Sequence, residues 1–104
     1  NFVKNLSGGN QQKVVISKWL AKNCNILLFD EPTRGIDVAA KSQIWELIKE
    51  FANSGGSVIV TSNEIPELIS GCHRIITMHK SKIVNIFDQD NFNEREISLS
   101  ISTN

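Results

Sequence analysis

The chain has 104 residues, 40% of them hydrophobic and 21% charged, the balance of one small globular unit rather than of a disordered segment. Eleven basic side chains cancel eleven acidic ones, so there is no basic surplus to support electrostatic binding of nucleic acid. The longest apolar run, Ile26 to Phe29, is four residues, far short of the ~20 that a membrane-spanning helix requires. No signal-peptide pattern is present. Cys24 and Cys72 stand far apart without metal-ligand spacing and read as two reduced thiols of a cytosolic protein. The chain opens Asn1-Phe2-Val3 without an initiator Met, so it is expected to be an excised or processed piece. With no repeat, low-complexity tract or linker, it reads as one structural unit.

The first helix is expected from Ser7, whose hydroxyl suits an N-cap, to residue 22, with Val14, Val15, Ile16, Trp19 and Leu20 as its apolar face. Asn25 to Asp30 is too short for a helix and apolar on both faces, which predicts a strand of a parallel sheet buried on both sides. Pro32 and Gly35 predict a loop. Asp37 caps a helix whose Ile44, Leu47, Ile48 and Phe51 recur at helical spacing, and Asn53-Ser54-Gly55-Gly56 ends it. Ser57 to Ser62 is β-branched and short, a second strand. Glu64 to Ser70 predicts a short helix with Pro66 near its start. Arg74 to His79 and Ile83 to Phe87 predict a hairpin around Lys80-Ser81-Lys82, although that turn lacks Gly or Asn. In the tail, Asn93 suits a helix cap, whereas Ile97, Leu99 and Ile101 alternate as in a strand; a short helix is favoured. Helices alternating with strands indicate an α/β fold with parallel strands and a C-terminal β-hairpin.

Two segments carry candidate chemistry. Ser7, Gly8 and Gly9 open a helix, where unpaired backbone N–H groups and the positive end of the helix dipole suit a phosphate. A loop that merely caps the helix fits the tripeptide equally well. Farther on, the apolar strand Ile26 to Phe29 ends in two adjacent carboxylates, Asp30 and Glu31. Ligands of open α/β sheets bind at the carboxyl ends of strands. An Asp there suits a magnesium ion held through water, and a neighbouring Glu suits a general base toward an attacking water. An acidic turn after a core strand is the plain alternative.

Taken together, Leu6-Ser7-Gly8-Gly9-Asn10-Gln11-Gln12 resembles the signature motif of ATP-binding-cassette (ABC) ATPases, and Ile26 to Glu31 resembles their Walker B strand with its catalytic Glu. Arg34-Gly35-Ile36-Asp37 resembles their D-loop, and Thr61 to Glu67 their switch strand and the helix after it. Three runs, Asn10 to Val15, Asp30 to Val38 and Ser62 to Leu68, resemble more narrowly the C-terminal cassette of ribose, galactose and xylose importers. The resemblance implies a partial P-loop NTPase fold: the C-terminal portion of one cassette, with signature helix 7–22, Walker B strand 25–30 and switch strand 57–62. It implies ATP and magnesium as cofactors, with ATP hydrolysis coupled to monosaccharide uptake. The implied partners are a second nucleotide-binding cassette and membrane permease subunits, at the cytoplasmic face of the plasma membrane.

By the same resemblance, Ser7, Gly8, Gly9 and Gln11 contact the nucleotide of the opposite cassette, and Asp30 holds magnesium through water. Glu31 positions and deprotonates the attacking water, and Asp37 links the two sites at the interface between cassettes. Asn63 stands where most of the family carries the switch His. Its amide donates a hydrogen bond to phosphate but takes no charge. A soluble ABC ATPase outside transport, or an inert truncated remnant, are the competing functions.

The chain contains no G-x-x-x-x-G-K-[ST] phosphate loop. The resemblance places that loop upstream of Asn1, so the chain alone is expected not to hydrolyse ATP. It also places the missing loop's strand between 57–62 and 74–79. The isolated chain is therefore expected to expose unpaired strand edges and to be marginally stable, which a cooperative melt of a monodisperse sample would contradict. Among smaller features, Trp19 and Trp45 read as core, His73 and His79 as structural or surface residues, and Lys80 and Lys82 as a solvated turn. Arg34 either meets a partner cassette or pairs with a local acid.

Overall fold

A computed structural model of the chain describes Ser17, Lys18 and residues 25–102. The chain divides into two compact units, Asn1–Ser62 and Asn63–Asn104, a division that no linker composition announces. The first predicted helix, 7–22, lies outside the described residues except for Ser17 and Lys18, both helical and exposed.

In the first unit, β1 (Ile26–Asp30) and β2 (Ser57–Thr61) pair in parallel, with Ile26 opposite Ser57 and Asp30 opposite Thr61. Helix α1 (Val38–Asn53) makes the crossover between them and packs against β2. It buries Ile44, Trp45, Ile48 and Phe51, one stripe of its surface, and Leu27 of β1 is buried as well. Trp45 is thus a core residue, as its helical spacing indicates. Two backbone bonds close the end of α1, from Gly55 N–H to the Ala52 carbonyl and from Gly56 N–H to the Phe51 carbonyl, each at 3.2 Å. This is a Schellman motif, and its left-handed residue is Gly55, at φ +102°. Gly56 is required for a different reason: a Cβ there would overlap the Phe51 ring.

The expectation that β1 is buried on both faces is corrected. Ile26 and Leu28 are 67% and 70% exposed, while Leu27 between them is buried. Side chains alternate across a strand, and among the described residues it is the face carrying Leu27 that is covered. Ile59 of β2 sits opposite Leu28 in the register and shares the open face.

In the second unit, β3 (Arg74–His79) and β4 (Lys82–Asp88) form the expected antiparallel hairpin, with β4 one residue longer at each end than 83–87. Lys80 and Ser81 both take positive φ, 50° and 66°, the requirement of a type I′ two-residue turn met without Gly or Asn. The pairing steps from Thr77 opposite Asn85 to Met78 opposite Ile83, which leaves Val84 as the extra residue of a bulge. Ile75, Thr77 and Phe87 are buried beneath α2 (Ile65–Gly71) and α3 (Glu94–Ser102). The opposite face, with Ile76, Met78, Ile83 and Ile86, is open.

The tail is helical: Asn93 caps α3 through its side-chain oxygen, which accepts from Glu96 N–H at 3.0 Å. A single 3-10 turn, Gln89–Asn91, precedes it. Cys72 is a free thiol, half-buried against this cluster, and burial pushes its pKa up. His73 is exposed. His79 is half-buried, and its Nε2 has no hydrogen-bond partner. No helix among the described residues is long and apolar enough to cross a membrane.

Candidate functional site

Asp30 and Glu31 stand at the carboxyl end of β1, where the parallel ladder runs out. The ladder extends one step past the strand: Glu31 N–H donates to the Thr61 carbonyl at 2.9 Å and also to Thr61 Oγ1 at 3.2 Å. The same Thr61 hydroxyl donates to Asp30 Oδ1 at 2.5 Å. One hydroxyl therefore touches both residues of the acidic pair.

Glu31 takes φ +51°, a left-handed conformation rare for a residue with a Cβ. It turns the chain out of the strand into two successive turns. Arg34 N–H bonds the Glu31 carbonyl at 3.2 Å, with Pro32 at the second position, where its fixed φ suits a turn. Ile36 N–H then bonds the Thr33 carbonyl at 3.2 Å, with Gly35 at the third position at φ +72°. That third position of a type II turn favours Gly. Pro32 and Thr33 are buried, so the loop is anchored as well as turned. It ends at Asp37, whose Oδ1 accepts from Ala40 N–H at 2.9 Å and caps α1.

The first unit thus brings Asp30, Glu31, Thr61 and Arg34 together. Arg34 pairs with a local acid: its Nη1 lies 3.6 Å from Glu31 Oε2, with the guanidinium largely in solvent. Such a pair contributes at most about 1 kcal/mol. Asp37 is committed to the helix cap at the far end of the loop. Asn63 is exposed and opens the second unit, two residues after Thr61. Ser7, Gly8, Gly9 and Gln11 lie outside the described residues. Sequence reading treats Thr61 only as a strand residue. A terminal Thr on a β-branched strand carries no signal by itself, and the register that sets it opposite Asp30 is a property of the folded pair.

Among the described residues, no three His, Cys, Asp or Glu side chains come close enough to cage a metal. Asp30 is exposed, with one oxygen engaged by Thr61. That donor set does not suit a closed structural metal site. It fits magnesium, which keeps most of its waters and takes one or two carboxylates together with substrate phosphates.

A model of the ABC transporter family matches residues 1–34. The ribose import ATP-binding protein RbsA of Hahella chejuensis is 50% identical over 95 residues, covering 91% of this chain and 19% of that protein. The protein of the same name from Clostridium perfringens is 44% identical over 99% of this chain and 21% of its own length. The chain therefore spans about one fifth of these relatives. Among solved structures, the ATP-binding cassette MJ0796, a post-hydrolysis dimer bound to ADP and Pi, superposes with a TM-score of 0.70. It is 33% identical, over 84% of this chain and 38% of that one.

Proposed function

We propose, from the premise that this chain belongs to the ABC transporter ATPase family, that it is the C-terminal portion of one nucleotide-binding cassette, in a protein that couples ATP hydrolysis to monosaccharide uptake. The observation that carries the ATPase reading is the adjacent carboxylate pair at the end of a parallel strand, locked to the end of the neighbouring strand. The sugar-import reading is supported by the likeness to ribose import ATP-binding proteins.

In this reading residues 25–30 and 57–62 are the Walker B and switch strands, and 7–22 the signature helix. Ser7, Gly8, Gly9 and Gln11 bind the nucleotide of a second cassette through backbone N–H groups and side chains. Asp30 would hold magnesium through water with its carboxylate, and the ion would supply positive charge against the phosphates. Glu31 receives the proton of the attacking water at its carboxylate. Asp37 holds the loop and helix at the face toward the second cassette, and Asn63 donates to phosphate in place of an imidazole. Membrane permease subunits at the cytoplasmic face of the plasma membrane complete the assembly.

The test is ATP hydrolysis by this chain alone and by its mixture with a cassette that has a phosphate loop but a disabled signature. No turnover alone and recovery in the mixture are expected. Silence in both, from a chain that circular dichroism shows folded, favours the inert remnant. Magnesium-dependent turnover by the chain alone contradicts the need for an upstream phosphate loop.

A further inference from the structure

Thr61 holds a position that its strand alone does not explain. Its side chain is exposed, so packing does not select it, and Val serves a β-branched strand end as well. Its hydroxyl nevertheless makes two bonds, donating to Asp30 Oδ1 at 2.5 Å and accepting from Glu31 N–H at 3.2 Å. The first bond engages one carboxylate oxygen of Asp30, and no described residue bonds the other. The second adds to the bond between Glu31 N–H and the Thr61 carbonyl, at the residue whose left-handed backbone aims the Glu31 side chain. A left-handed non-glycine residue persists only when its surroundings hold it there. Here the same side chain also sets the neighbouring carboxylate.

We infer that Thr61 is a positioning residue, whose hydroxyl preorganises the Asp30 carboxylate for a hydrated divalent cation and the Glu31 backbone for proton abstraction. The inference rests on the ATPase reading of this pair. It assigns a role to a side chain on the facing strand that neither carboxylate motif contains. A hydroxyl that bonds both members of the pair matters to their geometry, because a displacement on the order of 1 Å at a reacting group can cost up to about a hundredfold in rate.

The test compares Thr61→Val, which keeps the shape and strand preference and removes the hydroxyl, with Thr61→Ser, which keeps the hydroxyl. Both are made in the full-length polypeptide that carries this chain. Two readouts are taken: steady-state ATP hydrolysis, and binding of Mn2+ with ADP, followed by electron paramagnetic resonance of the free ion. For Thr61→Val, kcat is expected to fall about tenfold with the KM for ATP nearly unchanged, and Mn2+ affinity to weaken several-fold. Thr61→Ser is expected to restore both, and a merely structural role would move neither in this pattern. A wild type that binds Mn2+ and hydrolyses ATP, beside a Thr61→Val variant equal to it in both, overturns the role of Thr61 and leaves the ATPase reading standing. A folded wild type that neither binds Mn2+ with ADP nor turns over ATP overturns the ATPase reading, and the role of Thr61 with it.

Discussion

If the proposed ATPase reading holds, Glu31→Gln in the full-length polypeptide that carries this chain is expected to lower kcat by about 10²- to 10⁴-fold, the range that a positioned general base contributes. The substitution keeps the side chain's length and shape. It does not touch the two hydrogen bonds that Glu31 N–H makes to Thr61, so the left-handed turn and the Asp30 contact persist. What it removes is the basic carboxylate. It also removes the partner of Arg34, but that guanidinium is largely exposed, and its pair with Glu31 is worth at most about 1 kcal/mol. Arg34→Ala is therefore the control: it breaks the same ion pair and is expected to change kcat by less than about fivefold. Steady-state kinetics with ATP as the varied substrate separates the two. A Glu31→Gln enzyme within a few-fold of wild type would remove Glu31 from proton transfer. An equal loss in both variants would transfer the effect to the ion pair.

The parts of this site that were legible in the sequence are those written in short local patterns. Four apolar residues followed by Asp30 and Glu31 announce a strand with its chemistry at the carboxyl end. Pro32, Gly35 and Asp37 announce a turn and a cap, and the structure puts each where its backbone preference is used. Thr61 escaped because its role depends on register, a pairing 31 residues away in sequence. The exposure of Ile26 and Leu28 escaped for a related reason. An apolar strand does not state how many faces of its sheet are covered, and among the described residues it is the face carrying Leu27 that is covered. The hairpin turn at Lys80 and Ser81 shows the reverse failure. Its residues argue weakly for a turn, yet the two strands pair strongly enough to hold both in the left-handed region.

The tail was the one segment on which two periodicities competed, and it carries the largest expected stability effect. Ile97, Leu99 and Ile101 alternate as a strand would, whereas a helix turns by 100° per residue and sets Leu99 nearly opposite Ile97. The structure takes the helix. Ile97 is fully buried, at 0% exposure, among Ile75, Phe87, Ile65, Leu68, Ile69 and Phe92, while Leu99 is 55% exposed. Ser100, on the same side of the helix as Ile97, bonds the buried Thr77 hydroxyl at 2.7 Å. The buried Ile97 and the bond between Ser100 and Thr77 tie α3 to the hairpin, and the Asn93 cap closes its first turn. Ile97→Ala removes the apolar anchor and leaves a cavity that the flanking β3 and β4 cannot readily close, at a cost of about 2–4 kcal/mol. Leu99→Ala removes a solvated side chain and is expected to cost about 0.5 kcal/mol or less. Amide exchange of residues 94–102, followed by mass spectrometry in the full-length protein, reads the difference directly as local opening. Exchange there is expected to accelerate by about 30- to 1000-fold in Ile97→Ala and by only about twofold in Leu99→Ala. Equal acceleration in the two variants would mean that both side chains are buried, as a strand with residues 97 and 99 on one packed face requires, and would overturn the helical tail.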